Sequence, residues 1–237
     1  LNSPFKTIEH AMGMMASSDD EILTINIASG TYSTSLTGEY FPIIMISDVN
    51  LIGPDDEVTI LNAQGDEDNI RSVIIIEKCK NNTISGLTIT GGFAGDVWPY
   101  PVRFGGGIYI KKSDPTLSNL TINGNYASHS GGGVHSMQSS TTLTHVTISG
   151  NSAGMKGGGV YINNSEPEFE NVIIDNNSTP GHGGGIYMTS SNSTLSNVDI
   201  TYNTANAGEF SSEVRGGGIY MNSSHPTLSD VTLSYNS

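Results

Sequence analysis

The triplet Gly-Gly-Gly begins at Gly105, Gly131, Gly157, Gly183 and Gly216, at intervals of 26, 26, 26 and 33 residues. An asparagine keeps the same step at Asn125, Asn151, Asn177, Asn203 and Asn236, and a serine at Ser113, Ser139, Ser165, Ser191 and Ser224. Three columns in phase over five copies describe a stack of equivalent units. A unit of 26 residues with few apolar side chains cannot bury a core alone, so each copy must rest on the next.

Composition leaves two choices, and periodicity decides between them. Hydrophobic residues are 35% of the chain, charged ones 14%, and Gly accounts for 29 of 237, a profile of either disorder or repetitive β-structure. Each copy holds two apolar stretches of period two. The first reads Ile108-Tyr109-Ile110, Val160-Tyr161-Ile162, Ile186-Tyr187-Met188 and Ile219-Tyr220-Met221. The second reads Leu117, Leu120, Ile122 in one copy and Leu195, Val198, Ile200 in another. Alternation bounded by Gly, Asn, Ser and Pro predicts strand, turn, strand, turn in every copy, stacked in parallel at about 4.8 Å. The expected fold is an all-β coiled parallel solenoid of about 26 residues per coil.

One domain over 1–237 is expected. Its parts are a capping helix over 3–18, opened by Ser3-Pro4 and carrying Phe5, Ile8, Met12 and Met15, irregular first coils over 22–90, and regular repeats over 91–237. Because the last repeat stops in phase at Ser237, the chain is expected to continue beyond it, and its coil ends offer a route to self-association. Asn125, Asn151, Asn177, Asn203 and Asn236 are expected to form an amide ladder. Tyr109, Tyr161, Tyr187 and Tyr220, with His135 among them, are expected to form an outward aromatic ladder, either structural or a carbohydrate platform.

Charge and cysteine content exclude several functions. Nine Lys and Arg against 23 Asp and Glu give −14, which opposes nucleic-acid binding. Cys79 is the only cysteine, so neither an internal disulfide nor a Cys-cluster zinc site is available. No apolar run reaches the roughly 18 residues of a membrane span.

Two coils break the period at one corner. Gly92 to Gly105 and Asn203 to Gly216 each span 13 residues where the regular coils use 6, a seven-residue insertion in both. Insertions in repeat proteins gather on the binding face. A groove is therefore expected there, with Trp98, Tyr100, Arg103 and Phe210 in its walls and His129, Lys156, His182 and Arg215 along its floor. The last three precede successive triplets as a basic column that suits an acidic sugar. No cofactor is required by this pattern. Calcium is the one candidate, at Asp66 and Asp68 in the acidic run Asp66-Glu67-Asp68-Asn69, since hard cations take carboxylate oxygens.

The run Pro4-Phe5-Lys6-Thr7-Ile8, then Ile27-Ala28-Ser29-Gly30-Thr31-Tyr32 and Val49-Asn50-Leu51-Ile52-Gly53, resembles the cap and first coils of the pectate-lyase-like superfamily of bacterial right-handed parallel β-helices. The Gly-Gly-Gly-[Ile/Val]-Tyr coils are similar to those of polymorphic outer-membrane-type and secreted surface proteins. The resemblance implies a right-handed β-helix, an extracellular or cell-surface location, and a carbohydrate or cell-surface glycan as partner. Gly181-His182-Gly183 matches part of a polygalacturonase-like motif, but the Arg-x-Lys that accompanies it is absent. The functional expectation is a binding or structural module directed at carbohydrate. The alternatives are a lyase or hydrolase of acidic polysaccharide and an architectural stalk.

Overall fold

The computed structural model describes residues 4–15, 21–95, 103–206 and 214–237. Within them the chain winds as a parallel β-solenoid with three faces. The first face is a sheet of long strands, with Thr83–Thr90, Thr116–Asn123, Thr142–Ser149, Glu168–Asp175, Thr194–Thr201 and Thr227–Ser234 in consecutive rungs. The second is a seven-stranded sheet that includes Ile108–Lys111, Val134–Met137, Val160–Asn163, Ile186–Thr189 and Ile219–Asn222. The third is a five-stranded sheet of two-residue strands, Phe93–Ala94, Tyr126–Ala127, Ser152–Ala153, Ser178–Thr179 and Thr204–Ala205. Each copy thus has three strands where the sequence pattern predicts two. A two-residue strand is too short to show alternation, so the third escapes a periodicity reading.

The register is the repeat itself. Leu117 pairs with Leu143, Leu143 with Phe169 and Phe169 with Leu195, while Ile122, Ile148, Ile174 and Ile200 form a second inward column. All of these are buried, each contributing roughly 1.5–3 kcal/mol by removal from water. One inward position departs from the rule. Ser136 stands between Ile110 and Ile162, fully enclosed, with a hydroxyl that has no hydrogen-bond partner.

The glycine triplets are set by close approach. Gly131 has φ +69, a left-handed conformation that side chains resist, and a Cβ on Gly132 would lie 2.3 Å from the Ser152 carbonyl and 2.5 Å from that of Gly158. With no side chains in the way, backbone N–H groups of one triplet donate to carbonyls of the next, as from Gly106 to Gly131 and from Gly107 to Gly132.

Two interior ladders of polar side chains run along the axis. Asn125 donates its backbone N–H and its Nδ2 to Asn151 Oδ1, at 3.1 and 3.0 Å, and Nδ2 also reaches the Ile89 carbonyl. Asn151, Asn177 and Asn203 repeat the pattern, ending on Asn236. In the serine ladder each hydroxyl accepts the backbone N–H of its counterpart one coil earlier, and the first donor is Cys79. Cys79 Sγ donates to the Glu77 carbonyl as the serine hydroxyls donate two residues back, so the lone thiol fills a serine slot.

The capping helix is Ile8–Met14, shorter than the expected 3–18 among the described residues. Its N-cap is Thr7, whose hydroxyl accepts from His10 N–H, so Pro4 and Phe5 precede the helix instead of opening it. The sequence reading missed what anchors it. Glu39 is fully buried, and its carboxylate accepts the N–H groups of Ile8 and Glu9 at 2.7 and 2.9 Å. A negative charge against the first turn complements the helix dipole and ties the helix to the first coils.

Replacing Asn151 by Ala removes the acceptor for two Asn125 groups and the donor to Ile122 in one step. It should lower unfolding free energy by about 2–4 kcal/mol, measured by urea titration.

Candidate functional site

The outward position of the second sheet carries an unbroken aromatic stack. Ring centroids of Tyr109, His135, Tyr161, Tyr187 and Tyr220 follow one another at 5.4, 4.7, 5.3 and 5.0 Å, with interplanar angles of 11 to 24°. Stacking at rung spacing adds a contact between coils beyond area burial. His135 and Tyr187 are nevertheless buried, because Phe104 and Lys156, each just before a glycine triplet, fold across the ring of the following coil. Phe104 lies 4.8 Å from His135, Lys156 Nζ stands 5.0 Å from the centroid of Tyr187, and His182 stacks on Tyr220 at 4.7 Å and 18°. Lys156 is thus a cation over an aromatic face. His182 Nδ1 accepts the Arg215 backbone N–H, which assigns its proton to Nε2. The expected basic floor of the groove is largely an outer layer of the ladder.

Ser130, His129 and His135 form a small chain of polar contacts inside that layer. Ser130 Oγ is 3.2 Å from His129 Nδ1 and 3.3 Å from His135 Nδ1. His129 also packs edge-on against Phe104, and its backbone N–H donates to the Arg103 carbonyl. Burial pushes the His129 imidazole below its usual range, and the Lys156 and Arg103 charges push it further. Burial, assisted by the neighbouring His129 and opposed by a hydrogen bond with the Ser130 backbone, takes His135 down to about 3. A serine beside an imidazole is the nearest arrangement to a nucleophile and base, but Ser130 is 0% and His135 3% exposed, so no substrate reaches them.

The open cleft lies one face earlier, on the short-strand sheet. Outward Tyr126, Ser152, Ser178 and Thr204, with Pro180 and Asn206, line a hollow of about 470 Å³. Its lining holds hydroxyls, an amide and a phenol ring, and no charged side chain. Phe93 and Tyr126 pack with ring centroids 4.7 Å apart and planes tilted by 33° at its N-terminal end. The two insertions leave the coil from this same sheet, after Phe93–Ala94 and after Thr204–Ala205. Their central segments, 96–102 and 207–213, and with them Trp98, Tyr100 and Phe210, lie outside the described residues.

Tyr202 and Tyr235 were not singled out by sequence reasoning. They stack at 4.9 Å and 8°, exposed by 53% and 76%, on the corner between the long strands and the short-strand sheet. The available signal was positional, since both directly precede a ladder asparagine where earlier coils carry Gly124, Gly150 and Asn176.

At the acidic turn, Asp66 Oδ1 accepts from Asp68 N–H, Asn69 N–H and Asn69 Nδ2 at 2.8–2.9 Å. These bonds, the Asn69 side chain's first, hold the Asp66 carboxyl below the usual carboxylate range. The turn therefore uses Asp66 as its own staple. Among the described residues, no group of three or more His, Cys, Asp and Glu side chains is placed to hold a metal ion.

The depressed His135 makes stability depend on acid. Between about 3 and 6.5 the unfolded imidazole binds a proton that the folded one refuses, so stability is full above that window and falls as pH drops through it. The loss is on the order of 5 kcal/mol. Replacing His135 by Tyr, the residue of the flanking rungs, should flatten this acid limb in urea midpoints measured from pH 7 to pH 3.

Comparison with solved structures places this architecture. Pectin methylesterase from Yersinia enterocolitica has a TM-score of 0.55 at 13% identity, covering 96% of this chain and 90% of that one. Pectin methylesterase PemA from Erwinia chrysanthemi has a TM-score of 0.46 at 12% identity, covering 92% and 77%. The first likeness is one of fold, a right-handed parallel β-helix. Comparison with curated proteins finds no match. Residues 1–231 match the family model described as "Protein of unknown function (DUF1565)", and the chain belongs to that family.

Proposed function

We propose that the chain is an extracellular or cell-surface β-helix module that holds a polysaccharide along the short-strand cleft. The observation that carries this reading is the position of the cleft, an open hollow of about 470 Å³ spanning the coils between the only two that depart from the 26-residue repeat over 91–237. An extended, shallow surface of hydroxyls with an aromatic end suits a chain of sugar rings. A protein of similar fold, the pectin methylesterase from Yersinia enterocolitica, is named for a polysaccharide, which supports carbohydrate as the ligand class. Binding is favoured over catalysis because the hydroxyl–imidazole contact of Ser130 and His135 is sealed, and because His182 is stacked on Tyr220 with Nδ1 occupied.

Affinity electrophoresis through gels containing individual polysaccharides tests the reading. The chain should be retarded by at least one glycan, and Tyr126→Ala should weaken that retention about tenfold. No retardation by any polysaccharide removes the proposal. Breakdown of the retained glycan during the run would move the protein to the enzyme class.

A further inference from the structure

We infer that the cleft takes the end of a glycan chain: the non-reducing terminal pyranose stacks on the bare face of Tyr126, and an axial anomeric bond carries the rest of the chain along the rod. The inference rests on the carbohydrate reading above and narrows it to a chain end of one stereochemistry.

The hollow exists because a column of rings stops short. Outward positions of the short-strand sheet follow one another as Phe93, Tyr126, Ser152, Ser178 and Thr204. In the tyrosine ladder an inner ring is covered on both sides, as Tyr161 is by His135 and Tyr187. Here one side alone is covered. Phe93 packs on Tyr126 with centroids 4.7 Å apart and planes 33° from parallel, and the next coil offers a serine. Its hydroxymethyl group is too short to reach across a phenol ring. The far face of Tyr126 is therefore one wall of the hollow, above a floor of Ser152, Ser178 and Thr204. Three coils continue the column beyond Tyr126, each with a small side chain, so the face is bare through the residues that follow it.

A sugar ring has the dimensions of the missing rung. Carbon atoms in contact lie about 3.5–4.0 Å apart, close to the coil spacing of about 4.8 Å. A pyranose laid C–H face down on Tyr126 stands nearly level with Ser152 and sets its edge hydroxyls toward the floor of the cleft. A tyrosine has only two side-chain torsions to fix, so little rotamer freedom is lost on binding.

The same wall decides which part of a chain fits. A glycan lying along the rod meets the paired rings of Phe93 and Tyr126 across its path, so it ends there. Its last ring stands across the rod axis, while the chain leaves along that axis toward Ser178 and Thr204. A bond perpendicular to the mean plane of the ring makes this turn. In the chair of a D-hexopyranose such as glucose that is the axial bond of the α-anomer. The equatorial β-bond lies near the ring plane and sends the chain sideways off the cleft.

The test is titration calorimetry of the whole chain with pairs of sugars that differ in the anomeric bond alone. The pairs are maltose and cellobiose, α- and β-1,4-mannobiose, α- and β-1,3-galactobiose, and maltohexaose and cellohexaose. At least one α-linked sugar should bind about tenfold or more tightly than its β partner, and a hexamer of that linkage no more than about threefold tighter than the dimer. Ser152→Tyr continues the ring column into the place of the sugar. The two preceding coils hold rings in that slot, so its thermal midpoint should equal or exceed the parent's while binding falls at least about tenfold. Tyr126→Ala should erase the α preference together with the affinity. Equal binding of α and β partners overturns the inference. So does an affinity that climbs steadily with chain length, the mark of a chain gripped along its middle, or a folded Ser152→Tyr variant with the parent's affinity. If that variant fails to fold, the linkage pairs on the parent chain decide alone. Retardation in a polysaccharide gel with no binding of any α-linked sugar removes the chain-end reading and leaves the cleft. Retardation by no polysaccharide removes both.

Discussion

Parallel backbone hydrogen bonding between successive coils is the constraint from which the rest of the structure follows. Once Gly105 donates to Ser130 and Gly131 to Lys156 and Gly157, every side chain has its counterpart directly above and below it. Chemistry then comes in columns. A leucine or isoleucine inside must meet another apolar group, and a polar group inside must meet its own partner, since an orphan is costly in a dry interior. The asparagine and serine ladders meet that demand by making each amide or hydroxyl the partner of the next coil's backbone. Ser136 is one of several exceptions, a hydroxyl left without a partner between isoleucines.

Much of this was legible in the sequence because each column states a separate physical need. The Gly triplets mark left-handed turns and contacts too close for a Cβ, and the in-phase Asn and Ser mark interior polar groups. What was not legible depends on contacts between coils. Lys156 and His182 advertise charge and titration in a linear reading, but their ring partners Tyr187 and Tyr220 belong to the following coil. The choice between a solvated basic column and an outer layer of the ladder is made by that vertical neighbour. Glu39 escaped notice for a similar reason, since a carboxylate alone in sequence gives no hint that it meets a helix start some thirty residues earlier. The short strands failed for want of length, and Gly30–Ser33 and Thr59–Asn62 for lying where the repeat is irregular.

The molecule divides its surface accordingly. The side bearing the tyrosine ladder closes on itself, with Phe104, Lys156 and His182 each laid across the ring of the following coil, so that even the Lys156 cation serves cohesion. The corner of short strands needs only small inward residues, Ala94, Ala127, Ala153, Thr179 and Ala205, and leaves its outer groups unengaged by the core. That corner tolerates inserted residues because the two-residue strands on either side keep their pairing. Stability on this fold is therefore a property of columns, and the cleft proposed for binding lies on a corner instead.

A consequence follows for how such a rod changes length. Removing one whole copy brings Asn125 over Asn177 and Tyr109 over Tyr161 with every contact type conserved, whereas removing a single residue from a long strand would turn its aliphatic face toward solvent. Gain and loss of genetic material are thus filtered by a quantum of one turn of the coil, and the rod grows or shrinks in steps while its cross-section stays the same.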